Sequence, residues 1–271
     1  MGATTSLAGR LGAAGREVRL LYRDEHLVAV DKPPGLLVHR TRLAAGEDDA
    51  LLQRLRDALG RHVHAVHRLD RPTSGVVVFG LTPEAGRRLS MLFEARGVAK
   101  GYLAVVRGYL GTPQAPAGVI DHPLGDAADR PLRPALTAYR TLAQVDLPYA
   151  VGRHATSRYS LVAVEPQTGR THQIRRHFHH IFHPIVGDTT HGEGRHNRLF
   201  RERFGCERLL LHALRLVFQH PFTGRPLRIE AAPDAQWQAL MGRLGWAGVS
   251  EEAPVAMGPP ASDGRLPVPG A

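Results

Sequence analysis

His67-Arg68-Leu69-Asp70-Arg71-Pro72-Thr73-Ser74-Gly75, continued as Val76-Val77-Val78-Phe79-Gly80, reads as a loop that runs into a buried strand. Pro72 and Gly75 mark a turn, and Thr73 and Ser74 are suited to hydrogen-bond local backbone. The apolar run behind them is short, β-branched and closed by glycine, the pattern of a core strand. One carboxylate, Asp70, therefore sits where a loop enters a rigid strand, with Arg68 and Arg71 beside it in sequence. A carboxylate among guanidinium groups is held ionised. That suits a general base or a nucleophile, and it equally describes a structural ion pair.

Outward toward the N-terminus, residues 18–22 and 27–30 read as two strands around a turn at 23–26. Lys32-Pro33-Pro34-Gly35 ends the second, and 36–39 resumes an extended path. Leu51, Leu52, Leu55 and Leu59 recur at helical spacing, which predicts a helix over 47–59 ended by Gly60. Residues 1–16, rich in Gly and Ala, read as a flexible arm.

Toward the C-terminus, Thr82 as N-cap, Pro83 in the first turn and Gly97 as the stop frame a second helix over 83–96. Lys100-Gly101-Tyr102-Leu103-Ala104-Val105-Val106-Arg107-Gly108 alternates like a strand. Residues 109–134, rich in Gly, Pro and Asp, read as an irregular surface insertion, followed by strands at 135–144 and 156–164. Next, 166–177 is a Pro-x-Thr-Gly turn feeding a helix with Thr171 as N-cap, and His172, Arg175, Arg176 and His179 share its broad basic face. Residues 183–188 form a turn and short strand, and 189–200 a polar, basic loop suited to folding over a nucleic acid. Strands at 214–218 and 227–229 flank a turn at 221–224, Asp234 caps a last helix, and 249–271 reads as a disordered tail.

Five runs carry a resemblance. His67 to Gly75 resembles, unbroken, the catalytic signature of the RluA-type pseudouridine synthases, whose aspartate is the indispensable catalytic residue; the resemblance gives that role to Asp70. Lys-Pro-x-Gly-Leu-x-Val-His at 32–39 resembles the family's first motif, and no chemistry is assigned to it. In Lys-x-Tyr-x-Ala-x-Val-x-Gly at 100–108, the resemblance makes Tyr102 the ring that stacks on the target base, able to serve in a later proton transfer. Thr-Gly-Arg-x-His-Gln-x-Arg at 168–175 implies an arginine paired with the aspartate, Arg175 first and Arg170 second. Arg208 to Ala213 resembles the third motif, which implies a uracil pocket lined by Leu210 and Leu211. Arg68 resembles the residue that fills the gap left by a flipped base. His67, Arg71, Arg170 and Arg176 join it as expected RNA contacts.

The implied fold is α+β, a mixed, mainly antiparallel sheet flanked by helices. Its catalytic domain is expected over 17–248, without the S4 domain that many members carry. A narrower likeness, through His-His-x-x-His-Pro-Ile-x-Gly-Asp at 179–188 and Arg-His-Asn-Arg-x-Phe-Arg at 195–201, is to the tRNA pseudouridine synthase C group. It implies a T-stem uridine of tRNA as substrate, with rRNA as the alternative within the family.

Composition agrees with such a partner. The chain has 271 residues, 43% of them hydrophobic, enough for a sizeable core. It carries a formal net charge of +10, nearly all of its cations being Arg. That surplus suits a polyanion, although a base-composition bias toward Arg would produce it too. The lone cysteine, Cys206, can form no internal disulfide, and no apolar run reaches membrane-spanning length, so a soluble cytoplasmic monomer is expected. Two rivals stand beside the synthase: a non-catalytic RNA-binding protein, and a metal-dependent hydrolase built on His177, His179, His180 and His183. The last lacks a His-Glu-x-x-His pattern, and the expectation is no metal, nucleotide or redox cofactor and no obligatory protein partner.

Overall fold

The strand that the opening run predicts is β5, Ser74–Gly80, and every one of its residues is buried. The computed structural model describes residues 10–11, 17–39, 49–125 and 131–249. The ends of the expected arm, most of the expected tail and residues 47–48 of the first expected helix lie outside them. Before β5 come β1 (Arg10–Leu11), β2 (Val18–Arg23), β3 (Leu27–Lys32), α1 (Leu51–Leu59) and β4 (His64–Ala65). After it come α2 (Pro83–Glu94), β6 (Val98–Arg107), β7 (Ala117–Asp121), β8 (Leu136–Leu147) and β9 (Ser157–Pro166). The chain continues through α3 (Gln173–His180), α4 (Gly194–Phe204), β10 (Leu211–Gln219), β11 (Pro226–Glu230) and α5 (Ala235–Arg243).

The strands form one sheet in the order β1-β2-β3-β5-β10-β6-β9-β8-β7, with β11 on β10 and β4 on β5. Every named pairing is antiparallel except β5 with β10. This is the expected α+β fold with a mixed, mainly antiparallel sheet. Alternation along each strand sorts its side chains between two faces. On β5, Val77 and Phe79 pack toward α1, whereas Val76 and Val78 pack toward α2. On β6, Leu103 and Val105 join a core with Trp237 of α5 and Phe200 of α4, and Ala104 and Val106 face Phe178 of α3. Tyr102 is half-buried and packs against both the α1-side and the α3-side cluster. The tyrosine thus stands in the seam where the two halves of the sheet meet.

Helix boundaries correct the sequence reading in three places. Thr82 does cap α2, its Oγ1 accepting from Ala85 N–H at 3.1 Å, but the left-handed residue that closes the helix is Arg96 (φ 59°), not Gly97. Thr171 does not cap α3. His172 occupies that position with φ 54°, and no side chain caps it. The amide of Gln173 ties the helix start to the preceding turn and to β8: Oε1 accepts from Thr168 Oγ1 and Arg170 N–H, and Nε2 donates to Leu136 O and Thr137 Oγ1. Finally, the expected loop over 189–200 becomes helical from Gly194 onward.

Candidate active site

The parallel β5–β10 contact fixes the floor of the site. Gly75 pairs with Ala213, and Ala213 pairs across β10 with Tyr102 of β6, so three residues lie in one row across the seam. Gly75 has φ 113°, and a Cβ there would fall 2.1 Å from Ala213 O, so no other residue fits. Ser74 anchors the neighbouring position. Its Oγ lies 2.8 Å from His212 Nδ1 and accepts from Arg208 Nη2 at 2.5 Å, while His212 Nε2 lies 2.8 Å from Ala231 O. Ser74 therefore holds a neighbouring strand rather than local backbone. Burial pushes the His212 pKa down to about 4, so the ring is neutral and relays these bonds.

The loop entering β5 is tied from beneath. Lys32 is fully buried, and its Nζ donates to the carbonyls of Pro33 (3.0 Å), Leu36 (2.8 Å) and Arg71 (3.1 Å). All three ammonium donors are used. Burial lowers the Lys32 pKa to about 7, and the nearby Asp70 charge works against that shift. Gly35 N–H donates to Arg71 O at 2.8 Å, and Arg71 Nε returns a bond to Gly35 O at 3.1 Å. Asp70 is thereby held on a loop whose backbone has little freedom.

Across the cleft, α3 supplies its partner. Arg175 is only 4% exposed; Nη1 donates to Asp70 Oδ2 at 3.0 Å, while Nε and Nη2 bind the two oxygens of Asp188 at 2.7 and 2.8 Å. Asp188, 1% exposed at its side chain, also accepts from the N–H groups of Thr190 and His191, each at 2.9 Å. Burial disfavours the charge on both members. The mutual bonds overcome it, lowering the Asp188 pKa and raising that of Arg175. Gly187 precedes Asp188 with φ 79°, where a Cβ would meet Arg208 O at 1.9 Å. The result is a chain Asp188–Arg175–Asp70 in which the outer carboxylate retains 20% exposure toward the cleft. Tyr102 borders the same space. Burial, then the charge of Asp70, raises its phenol pKa well above the ordinary value, so it is a neutral ring and a hydrogen-bond donor.

His172 stands beside this chain, its Nε2 3.9 Å from Asp70 Oδ1 and its Nδ1 3.0 Å from His191 Nε2. Burial pushes its pKa down, against the pull of Asp70. Arg68 is exposed and makes no hydrogen bond among the described residues. Arg170 turns away, donating from Nε to Pro134 O at 3.2 Å, so of the two arginines considered it is Arg175 that meets Asp70. Arg176 donates to Gly125 O at 2.7 Å.

Several expected residues land elsewhere. His67, expected as an RNA contact, is engaged by the fold: its ring stacks on Phe93 at 4.5 Å and its Nε2 accepts from Val78 N–H at 3.0 Å. Leu211 joins the cluster that Tyr102 touches, whereas Leu210 packs on the opposite face with the Trp237 core, so the two leucines do not line one pocket. The α3 histidines diverge: His177 Nε2 meets His122 O, His179 Nδ1 meets His191 O, His183 Nδ1 meets Arg107 O, and His180 stacks on His122. Asp188, Lys32 and His172 are groups near Asp70 that sequence reasoning did not assign to the site. The chain's only lysines are Lys32 and Lys100, both in motif runs, and that rarity amid so much arginine was a usable signal.

Comparison with known proteins bears directly on this geometry. Residues 26–180, which contain Asp70, Tyr102 and Arg175, match the RNA pseudouridylate synthase family. The chain is 48% identical over 245 residues to tRNA pseudouridine synthase C of Pectobacterium carotovorum subsp. carotovorum, covering 87% of this chain and 64% of that protein. It is likewise 48% identical over 239 residues to tRNA pseudouridine synthase C of Vibrio cholerae serotype O1, covering 84% and 96%. Among solved structures, human RNA Pseudouridylate Synthase Domain Containing 1 superposes with a TM-score of 0.64 at 26% identity, over 82% of this chain and 86% of that one.

Proposed function

The chain belongs to the RNA pseudouridylate synthase family, and from that premise we propose that it isomerises one uridine in the T-stem of tRNA. Members of the family are isomerases that convert uridine to pseudouridine. The reaction breaks the C1′–N1 bond, turns the uracil and rejoins it through C5. In this reading the Asp70 carboxylate either removes a sugar proton or attacks the substrate covalently. Arg175 holds it in place and aims it, and the Tyr102 ring gives the released base a flat face. Arg68 enters the stack as the uridine leaves it. Extrusion of a stem base costs about a few kcal/mol. The catalytic unit in this reading is residues 17–248.

The observation that carries the proposal is the 3.0 Å Asp70–Arg175 ion pair, formed by residues 105 positions apart with the Asp70 carboxylate still partly exposed. Support for tRNA comes from the two bacterial relatives above and from the +10 charge. Tritium release from 5-tritiated uridine in tRNA and in rRNA transcripts tests it, together with pseudouridine mapping in both RNAs from cells lacking the gene. Release from tRNA, and loss of one T-stem pseudouridine, is expected. A missing rRNA pseudouridine with intact tRNA would overturn the substrate assignment.

A further inference from the structure

At the end of α3 farthest from Asp70 stands an aromatic ring that the fold does not use. Phe182 is 80% exposed and has φ +64°. It is the C′ residue of a Schellman-type ending: its N–H donates to His179 O at 3.0 Å, and the His183 N–H donates to Phe178 O at 2.9 Å. Glycine commonly fills that position because a side chain is strained there. A phenylalanine adds both backbone strain and a ring in water, and neither favours the folded state. The helix that carries Arg175 is thus bracketed by strained residues, His172 beside Asp70 and Phe182 at the far end. The remaining left-handed side chain among the described residues, Arg96, ends α2 with a charged group in water.

The surroundings narrow the occupant. The exposed His180 ring lies flat on His122, with centroids 3.6 Å apart and 14° between planes. Arg176, one turn back, is close enough to disfavour protonation of His122. From Arg175 to Phe182 is seven residues, about 10 Å along a helix, the height of roughly three stacked bases. Outward from the ion pair come Arg176, then the stacked imidazoles of His180 and His122, then a bare ring. A protein or membrane partner would need a wider apolar patch, and the neighbours His179, His180 and His183 are polar. Nucleobases suit an isolated flat ring among basic groups.

We propose that Phe182 is a stacking platform for an unpaired base of the substrate RNA, outside the pocket of the target uridine. This rests on the reading of the protein as an RNA pseudouridine synthase and adds a second point of RNA recognition to it.

The full-length protein with Phe182→Gly, and separately with Phe182→Trp, tests the proposal. The readouts are thermal unfolding, binding to an unmodified tRNA transcript across a salt series, and single-turnover tritium release. Phe182→Gly relieves the strain, so its midpoint should equal or exceed that of the wild type while tRNA binding weakens roughly 5- to 100-fold. Phe182 carries no charge, so the salt slope should be unchanged. Phe182→Trp should restore binding, and its added emission should be quenched by the transcript. Equal affinity of wild type and Phe182→Gly would overturn the proposal. A shallower salt slope would overturn it in favour of a phosphate contact, and a change in sedimentation of the free protein in favour of a second copy on the ring. Wild-type tritium release is the separate control: its absence from both tRNA and rRNA would sink the synthase reading and leave the affinity comparison interpretable.

Discussion

Two histidines stand three residues ahead of the two charged groups that meet in the cleft, His67 before Asp70 and His172 before Arg175. The sequence treats them alike, and the structure does not. His67 is fixed between Phe93 and the Val78 N–H, and burial drives its pKa down to about 3. His172 is half-exposed in left-handed backbone, with Asp70 on one side and His191 on the other. What separates them is the element behind each. The loop before β5 is pinned to the sheet, so its histidine turns inward. At the start of α3 the tethering amide is that of Gln173, which leaves the His172 ring facing Asp70 and His191. Motif membership selects a residue, and the backbone around it decides whether the side chain props the fold or faces the substrate.

The largest effect should come from the pinned side. Asp70→Asn keeps the loop, because Lys32 and Gly35 bind its backbone and not its carboxylate. Single-turnover pseudouridine formation should fall by about 10⁴-fold, the upper end for a positioned acid or base, with tRNA affinity near that of the wild type. Turnover within tenfold of wild type would remove Asp70 from the chemistry.

How much of this was legible follows the same division. β5 was readable because a β-branched run between two glycines has little choice of structure. The Asp70–Arg175 contact was not encoded in any local pattern and came only through resemblance to a known family. Asp188 was invisible for a related reason: it acts through burial, which no single run displays, whereas Lys32 was marked only by the scarcity of lysine. The α3 cap was misread because Thr171 has the right chemistry, while the Gln173 amide, two residues on, makes the bonds. Helix α4 was missed because only Leu199 and Phe200 are buried on it, too sparse a stripe to mark a period amid glycine and arginine.

Asp188 breaks the comparison from the α3 side. Asp188→Ala leaves Arg175 with Asp70 alone and strands two backbone N–H groups. Removing one member of a buried pair should cost about 3–5 kcal/mol of stability in urea unfolding. Asp188→Asn retains an acceptor for Thr190 and His191 and should lose less. In the folded fraction of either variant the single-turnover rate should drop while tRNA affinity holds, since Arg175 is no longer oriented. A stability loss with an unchanged rate would make Asp188 purely structural. Its lowered pKa fixes the sign with pH: this stabilisation is complete above the ordinary value of 3.8 and is lost as pH falls through the lower folded value.

Arg68 and Arg175 should separate on a substrate that needs no flipping. Arg68→Ala should be impaired on folded tRNA and much less on a short single strand carrying the same uridine, which lacks most of the unstacking cost of about a few kcal/mol. Arg175→Ala should be impaired on both. Rates at saturating enzyme keep weak binding of the short strand from passing for slow chemistry. Equal losses for Arg68→Ala on the two substrates would remove it from base extrusion, and rescue of Arg175→Ala by the single strand would assign Arg175 to docking.

The smallest effect is the one that tests the two histidines directly. In the folded protein His67 stays neutral down to about pH 3, whereas in the unfolded chain it takes a proton near the ordinary 6.5. Its contribution to stability is therefore complete above about 6.5 and is lost progressively as pH falls toward 3. His67→Gln should flatten the stability curve over that window, at a cost of about 0.5–1.5 kcal/mol from the lost stacking on Phe93, and its activity relative to wild type should not vary with pH. His172→Asn should behave in the opposite way. Asparagine tolerates left-handed backbone, so stability should stay within about 0.5 kcal/mol. The His172 pKa lies below 6.5, so above that pH the ratio of variant to wild-type kcat/KM should be constant. Further down, the wild type gains a cation 3.9 Å from Asp70 that the variant cannot form, and the ratio should rise as that cation quenches the carboxylate. A ratio that rises for His67→Gln and stays flat for His172→Asn would reverse the assignment and put the cleft-facing proton on the pinned loop.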